Sequence, residues 1–236
     1  ALTLNYLAKF EKLYAAEIDG LIPVECRIGD DFFSSEHMAD RLNKGNNILI
    51  IGQAGCGKSL IAKKLGLAVA QKGELPVFIE AKDFKDKLRP LLEEETGLLG
   101  ISSLTDFLSS ARHLEKNIVL IVDGINECRE DLRPRLLRNL RVLCDRYLLR
   151  VVLISQTSTT DVSLLNPVIV EILPFSDDIK LKIASAYASS GSISRLAAIL
   201  KAIGTGLEAR MAGEIASEDI GGLSRFELFD LYTRKK

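Results

Sequence analysis

The chain has 236 residues and nearly balanced charge, with 31 basic and 32 acidic residues and a formal net charge of −1. This balance excludes a global electrostatic field that would draw the chain to nucleic acid or to an anionic membrane. At this length the chain can bury a substantial core, either as one large domain or as a domain with a small appendage.

The cysteines and the apolar runs bear on the cellular compartment. Cys26, Cys56, Cys128 and Cys144 show neither CxxC spacing nor a histidine partner, which favours a reducing compartment and argues against a structural zinc site. The sequence shows no apolar segment of the export type and no apolar run near the length of a membrane span, so we expect neither export nor membrane insertion. A cytoplasmic location follows as an expectation.

We interpret residues 1–45 as a helical lead-in. Apolar residues recur with the spacing i, i+3, i+7 and i+11 at Leu7, Phe10, Tyr14 and Ile18. This spacing predicts an amphipathic helix that ends near Gly20. A link rich in turn-forming residues follows, and then a short helix over residues 35–42.

An apolar strand that begins at Ile48 leads into the pattern GxxxxGKS, which starts at Gly52 and precedes a helix-forming stretch. Such a loop turns backbone N–H groups around a di- or triphosphate. Its lysine reaches the β- and γ-phosphates, and its serine hydroxyl enters the Mg²⁺ shell. We expect glycines in the loop because larger side chains would obstruct the phosphates. The predicted nucleotide-binding residues are Gly52, Gln53, Ala54, Gly55, Cys56, Gly57, Lys58, Ser59 and Leu60.

A second motif is the aliphatic run of residues 118–122, which ends at Asp123. A run of this kind is typical of a central parallel strand that is buried on both faces. A carboxylate at the end of such a strand lies where open α/β sheets bind ligands, and there it can hold Mg²⁺ through water. Together with Lys58, the motif predicts one Mg-nucleotide site in which Ser59 and Asp123 are the metal ligands.

Aliphatic strands recur through residues 46–174, with helical patterns between them. The expected strands begin at Ile48 and cover residues 76–79, 118–122, 151–154 and 168–170. This alternation predicts an α/β fold with a mainly parallel, five-stranded sheet between helices. Residues 46–174 would thus form a P-loop nucleotide-binding domain.

Beyond the sheet, the composition changes to four short helical segments. The first begins at Ser176 and the second at Ser192, and residues 204–206 separate the second from the third. The last begins at Ser224 with the spacing of a capping box. We expect a small all-helical domain over residues 175–236.

Taken together, these motifs resemble the NACHT domain of the STAND class of P-loop NTPases. The resemblance rests on residues 52–59, 120–127, 173–179 and 223–232. Its most specific feature is the small residue Gly124 directly after Asp123, with a further acidic residue at the end of the motif. Ordinary AAA+ proteins place glutamate immediately after this aspartate.

The resemblance implies an ATP-driven switch in innate immunity or antiviral defence. An ADP-bound closed state would open on exchange for ATP and self-associate, which would bring effector domains together. By position, Lys58 and Ser59 would bind phosphate and Mg²⁺, and Asp123 would hold the metal. Glu127 would orient or activate the attacking water, so that Lys58, Asp123 and Glu127 form the catalytic set. The effector and sensor domains would lie outside this chain, which we expect to be part of a longer protein.

Three positions depart from the family pattern. Asn126 stands where members usually have a second carboxylate, and this change would weaken hydrolysis. Residues 155–158, which follow the fourth core strand, contain no arginine that could sense the γ-phosphate. Gly206 stands nearest to the place where a proline of the helical domain commonly touches the nucleotide.

Two further features have a structural interpretation that we favour over a functional one. Cys56 lies at a helix N-terminus that could lower its pKa, but we interpret it as a small residue that fits under the phosphates. The predicted helix after Asp131 carries several arginines, which we interpret as a solvated face, with an oligomer contact as the next alternative and a nucleic-acid surface as the least favoured.

Three function classes stay open from the sequence. A switch ATPase is favoured by Gly124 and Glu127. A nucleotide-binding scaffold that barely hydrolyses is favoured by Asn126 and by the missing arginine. A small-molecule or nucleoside kinase is disfavoured because no arginine-rich lid is evident, and a GTPase is disfavoured because the chain has no NKxD motif for reading the base.

Overall fold

The computed structural model describes residues 2–42, 46–147, 149–158, 160–188, 196, 199, 203–216 and 223–235. Its helices are α1 (Leu2–Ile18), α2 (Met38–Leu42), α3 (Lys58–Gln71), α4 (Leu88–Leu98), α5 (Leu104–His113), α6 (Arg133–Arg146), α7 (Asp177–Tyr187), α8 (Gly206–Glu214) and α9 (Arg225–Lys235). In this part of the chain, none of the helices is both long enough and apolar enough to cross a membrane.

The strands form one mixed sheet. They are β1 (Glu25–Ile28), β2 (Asp31–Ser34), β3 (Ile48–Ile51), β4 (Leu75–Glu80), β5 (Ile118–Asp123), β6 (Leu149–Ser155) and β7 (Val168–Ile172). They lie in the order β2-β1-β7-β3-β6-β5-β4, and the five strands from β7 to β4 are mutually parallel. All five predicted strands and the α/β P-loop fold are confirmed.

The sheet is nevertheless wider than predicted, with seven strands instead of five. The additional strands β1 and β2 lie in the segment that we expected to be purely helical apart from links. They form an antiparallel hairpin that joins the sheet through Cys26↔Ile172 and Arg27↔Glu171. Each strand has only four residues, so neither one shows enough alternation to be recognised locally. Their pairing with the edge of β7 is a contact between distant parts of the sequence.

The central strands are buried on both faces, as their continuous aliphatic composition predicts. In β5, Leu120 and Val122 belong to one hydrophobic cluster, while Val119 and Ile121 belong to the cluster on the opposite face. Alternate residues of a strand point to opposite faces, so an apolar run without alternation requires helices on both sides. This burial fixes the position of Asp123 at the end of the strand.

Helix α1 packs on the sheet through aromatic side chains. Tyr6 and Phe10 are almost completely buried, and the Tyr6 hydroxyl donates a hydrogen bond of 2.6 Å to the Pro76 carbonyl. Burial also raises the pKa of the Tyr6 phenol well above its usual range. The Phe10 ring lies against α3 at Gly66, where only a glycine allows the two helices to approach this closely. The amphipathic first helix is therefore confirmed, and its apolar face docks on the core.

The helices after the sheet surround a hydrophobic cluster of their own. This cluster includes Ala184 of α7, Ala212 of α8 and Leu228 of α9. The predicted starts at Ser176 and Ser224 are confirmed, since each side chain accepts a hydrogen bond from the backbone N–H three residues later. The helix predicted from Ser192 falls mostly outside the described residues.

Helix α8 begins where the glycines of residues 204–206 predict a break. Thr205 caps the helix in a capping box, in which Thr205 Oγ1 accepts from the Glu208 N–H at 3.3 Å and Glu208 Oε2 accepts from the Thr205 N–H at 3.1 Å. Glu208 is only 1% exposed and pairs with Arg225 of α9. The cap thus also ties α8 to α9 at the end that approaches the sheet.

Replacing Gly66 by alanine should destabilise the fold, because the new methyl group would lie 3.0 Å from Phe10 Cζ and 3.2 Å from Ile121 Cδ1. Both side chains are buried, and overpacking of this kind costs about 1–3 kcal/mol. Gly97→Ala in α4 is the matched control, because its methyl group would meet no atom within 4 Å and should stabilise the helix by up to about 1 kcal/mol. Urea unfolding measures both changes. Equal stabilising shifts would contradict the packing of α1 on α3.

Candidate nucleotide site

A cavity of about 650 Å³ lies at the carboxyl ends of β3, β5 and β6. In parallel strands these ends meet at one edge of the sheet, which is where such folds bind ligands. The segment of residues 17–24 borders the cavity, and so do α7 and α8. The volume falls within the range of about 300–1,000 Å³ that is usual for cofactor sites.

The predicted phosphate loop forms the floor of this cavity. Residues 54–60 line it, and the loop ends at α3, whose first turn begins at Lys58. The N-terminus of a helix presents unpaired N–H groups and the positive end of the helix dipole, both of which attract phosphate. Gly52 and Gln53 instead line a neighbouring cavity of about 160 Å³, to which Cys56 and Gln156 also contribute.

Glycine is required at the three glycine positions of the loop for different structural reasons. Gly55 and Gly57 have φ angles of +76° and +83°, in the left-handed region that glycine adopts without steric cost. Around Gly57 an added Cβ would meet nothing, as expected for a position that faces the ligand. At Gly55 a Cβ would lie 3.1 Å from Thr205 Oγ1, and at Gly52 it would lie 2.9 Å from Cys56 Sγ. Gly52 and Gly55 therefore also make room for protein atoms, and the expectation that the loop glycines make room for phosphate stays a prediction.

The side chain of Lys58 is held in place by backbone carbonyl groups of the loop. Its ammonium donates hydrogen bonds to the carbonyl oxygens of Gly52 at 2.8 Å and Gln53 at 2.7 Å. These bonds place a positive charge beside the N–H groups of the loop. A phosphate in the loop would offer the ammonium an acceptor of opposite charge, and hydrogen bonds between lysine and phosphate are short and strong.

Cys56 is a buried residue of the loop, and its place under the phosphates stays a prediction. It is 7% exposed, and burial raises the pKa of its thiol, although the Lys58 ammonium at 4.0 Å from Sγ opposes the shift. A raised pKa keeps the thiol protonated, which makes it a poor nucleophile. The direction of this shift is opposite to that of activation by a helix N-terminus.

Ser59 and Asp123 are the residues expected to hold Mg²⁺. Ser59 lies in the first turn of α3, Asp123 is the last residue of β5, and both line the cavity. The neighbour of Asp123 in the sheet is Glu80, which is paired with Lys82. Hydroxyl and carboxylate oxygens suit Mg²⁺, which usually completes its shell with substrate phosphates and water. The residues present therefore fit this ion.

Glu127 lies at the end of a short 3₁₀ turn that follows β5. Glu127 lines the same cavity. The Glu127 N–H donates a hydrogen bond of 2.7 Å to the Gly124 carbonyl, which closes the turn. A Cβ at residue 124 would lie 3.0 Å from Glu127 Cδ. The small residue after Asp123 thus leaves room for the Glu127 side chain above the turn.

The comparisons with known proteins agree with this geometry. A model of the NACHT domain matches residues 46–190, which is more than half of the chain. The chain belongs to the NACHT family. Its NACHT domain is of the P-loop NTPase class, which has the potential to bind and hydrolyse ATP. No curated protein sequence is significantly similar to the chain.

Solved structures share the fold of this NACHT domain at low sequence identity. Cdc6p from Pyrobaculum aerophilum gives a TM-score of 0.54 at 13% identity over 93% of this chain and 66% of that chain. Domain III of the replication initiation protein DnaA from Thermotoga maritima gives 0.52 at 16% identity over 85% and 90% of the two chains. AMPPCP-bound DnaA from Aquifex aeolicus gives 0.51 at 17% identity over 85% and 63%. At such identities the similarity concerns the fold alone.

The NACHT domain contacts α8 directly at the phosphate loop. The Leu207 N–H donates a hydrogen bond of 3.1 Å to the Gly55 carbonyl. Gly206 lines the cavity, as expected for the position nearest to the family's proline, and a Cβ there would lie 2.8 Å from Phe175 Cε2. The packing of Phe175 against the start of α8 therefore explains why this position is a glycine.

Sequence reasoning missed the residues that approach the site from distant segments. Most residues of the segment 17–24 line the cavity, although Gly20 indicated only the end of α1. Gln156 also lines it. Asn126, which we expected only to weaken hydrolysis, accepts hydrogen bonds from the last residue of β6 and from the residue after it. None of these contacts leaves a periodic or motif signal in the sequence.

The arginines of α6 lie away from this cavity. Arg135 pairs with Asp86, and Arg141 pairs with Asp145 at 3.0 Å. Both pairs are about half exposed, which agrees with the solvated face that we favoured.

Gly55→Ala should destabilise the protein more than Gly57→Ala. Both substitutions force a left-handed residue, at a cost of about 1–2 kcal/mol each. Only the Gly55 methyl group would press on α8, where Thr205 and Leu207 lie within 3.4 Å, and overpacking should add about 1–3 kcal/mol. Urea unfolding without nucleotide measures the difference. Equal losses of stability would contradict the contact between the loop and α8.

Proposed function

We propose that this NACHT domain is an ATP-dependent switch that binds ATP or ADP with Mg²⁺, hydrolyses ATP slowly and controls self-association of the intact protein. One observation carries the proposal: a single cavity brings together the phosphate loop, the strand-end carboxylate and the helices after the sheet. A ligand in this cavity would contact both parts of the chain at once. The number of phosphates on the bound nucleotide could therefore bias how the two parts of the chain pack against each other.

The roles of the site residues follow from their positions. The Lys58 ammonium and the N–H groups of the loop would neutralise the phosphates. Ser59 and Asp123 would hold Mg²⁺, which supplies charge stabilisation when bound. Glu127, at the end of its turn, would accept a proton from the attacking water or orient that water.

Slow hydrolysis is supported by the charges around the cavity. Among the described residues that line it, the cations are Lys58 and Arg210. The guanidinium of Arg210 is already paired with Glu214 at 2.7 Å and stacked on the Tyr187 ring at 5.0 Å. An additional arginine supplied by a neighbouring molecule typically raises such a rate by about 10³ to 10⁵. Self-association would be one way to supply it.

The proposal includes a domain organisation of the chain. Residues 46–174 would form the nucleotide-binding domain, residues 175–236 the small helical domain, and residues 1–45 the lead-in. The separate hydrophobic cluster around α7, α8 and α9 supports such a division. Effector and sensor domains, and a role in innate immunity or antiviral defence, would belong to the intact protein.

A nucleotide-binding scaffold with very little hydrolysis is the second candidate. It is favoured by the uncharged amide of Asn126, which stands beside Glu127 where a second carboxylate would increase the basicity of the site. The two candidates share the binding site and differ in turnover. Single-turnover measurements with excess protein separate them.

Substitutions of Asp123 and Glu127 should have separable effects. Asp123→Ala removes a metal ligand and should weaken Mg-nucleotide binding by about tenfold or more. Glu127→Gln keeps the size of the side chain but removes its basicity, so binding should persist while turnover falls by about 10²- to 10⁴-fold. Calorimetry with ADP and phosphate release under single-turnover conditions measure the two quantities.

Lys58→Ala provides the baseline for contaminating activity in these assays. If both variants lose affinity equally and neither loses turnover selectively, Glu127 has a structural role and the catalytic assignment is wrong. If the native protein binds ADP normally but turns over ATP no faster than the Lys58→Ala variant, the result would favour the nucleotide-binding scaffold.

The rate per chain should depend on protein concentration. Because the cavity lacks a free arginine within the described residues, we expect turnover well below about 1 s⁻¹ in dilute solution and a rise as molecules associate. A dilution series at saturating ATP, combined with light scattering, measures both quantities. Fast turnover that is independent of concentration would show a complete catalytic site in one chain and would contradict the switch.

A further inference from the structure

The start of α8, which we define as residues 204–208, is packed against the backbone of the phosphate loop. The Leu207 N–H donates a hydrogen bond of 3.1 Å to the Gly55 carbonyl. Thr205 lies so close to Gly55 that an added Cβ there would be 3.1 Å from Thr205 Oγ1. Because these contacts involve the backbone of the loop, they depend on its conformation. A phosphate bound to the N–H groups of the loop would hold that conformation in place.

Glu208 is a buried carboxylate at the start of α8. Its side chain is only 1% exposed. Its Oε2 accepts hydrogen bonds from the backbone N–H groups of Gly204 at 2.6 Å and Thr205 at 3.1 Å. Its Oε1 is paired with the guanidinium of Arg225, the first residue of α9. One carboxylate thus joins the start of α8 to α9.

The burial of this carboxylate makes the junction between α8 and α9 sensitive to small movements. A buried carboxylate is costly unless its oxygens stay paired, and loss of one partner leaves its charge uncompensated. A shift of the start of α8 relative to α9 would separate Glu208 from Arg225. The two helices also meet at the fully buried Leu228, and at their far ends Lys235 Nζ donates a hydrogen bond of 3.1 Å to the Glu214 carbonyl. We therefore expect α9 to move together with the start of α8.

Arg225 lies outside the proposed nucleotide site. No residue of α9 is among the described residues that line the cavity, and the Arg225 side chain is 65% exposed. An effect of Arg225 on nucleotide affinity would therefore have to pass through Glu208 and the start of α8.

We propose that the ion pair between Glu208 and Arg225 couples occupancy of the nucleotide site to the docking of α9. The inference rests on the proposed nucleotide function and deepens it, because it names the contacts through which a nucleotide acts beyond the cavity. The nucleotide orders the loop, the loop holds the start of α8, and Glu208 holds Arg225. Since such coupling is reciprocal, docking of α9 raises the affinity for nucleotide by the same factor.

Hydrogen exchange of backbone amides, with and without saturating Mg-ADP, tests the effect of the nucleotide on α9. In the native protein, Mg-ADP should slow exchange in α9 by about fivefold more than in α5, which is the lower end of typical coupling between sites. Helix α5 is the internal reference for general stabilisation by a ligand. In Arg225→Met, which keeps an apolar stem but removes the charge, the additional slowing in α9 should be lost.

Arg234→Met is the matched control for this measurement. Arg234 also belongs to α9, but it pairs with Asp230 of the same helix at 2.7 Å, and its side chain is 75% exposed. The control removes an arginine from α9 without touching the contact between α8 and α9. Its response to Mg-ADP should match that of the native protein.

Calorimetry with Mg-ADP tests the reciprocal effect. Arg225→Met should weaken binding by about fivefold, although Arg225 does not line the cavity. Glu208→Gln should weaken it equally, because its amide oxygen can still accept from Gly204 and Thr205 while the ion pair with Arg225 is lost. The double variant should bind no more weakly than either single variant, since all three variants lack the same interaction.

Each result decides for or against the coupling. A native α9 that does not respond to Mg-ADP, or an equal response in native protein and Arg225→Met, would overturn it while leaving the nucleotide site in place. Losses of affinity that multiply in the double variant would also overturn it, because they indicate two independent structural effects. If the native protein does not bind Mg-ADP, the proposed function itself fails, and the coupling fails with it.

Discussion

The site depends on the parallel register of three neighbouring strands, β3, β6 and β5. Parallel pairing sends the carboxyl ends of all three strands to the same edge of the sheet, where the phosphate loop, the residue after β6 and Asp123 meet. The pairing is stabilised by aliphatic side chains buried on both faces, and a slip of one residue would exchange the two faces. The same strand register therefore buries the core and places the site residues at one edge of the sheet.

A second contact links this edge to the helices after the sheet. The carbonyl of Gly55 accepts a hydrogen bond from the start of α8, and the Phe175 ring packs against Gly206. The same loop thus gives one carbonyl to a helix, and under the proposed function it would bind phosphate through its N–H groups. A change in the loop's backbone on nucleotide binding would alter both, which is the kind of shared element through which a ligand can shift domain packing.

Few positive charges line the cavity among the described residues. Lys58 supplies a cation at the loop, whereas Arg210 is engaged by Glu214 and Tyr187. At the ends of β5 and β6 the contacts between Asn126, Ser155 and Gln156 are neutral. Phosphoryl transfer is accelerated mainly by preorganised charge, so these neutral contacts support the proposed slow turnover.

The sequence by itself determined the features that depend on local backbone chemistry. The glycine pattern at residues 52–59, the aliphatic run before Asp123 and the caps at Ser176 and Ser224 each lie within a few residues, so their signals are complete in the sequence. Only the tertiary structure decided that β1 and β2 extend the sheet, that residues 17–24 border the cavity, and that Asn126 holds Gln156. It also assigned two of the loop glycines to protein contacts. These features arise between segments that are far apart in the chain, and the energy of such contacts leaves no periodic pattern in either segment alone.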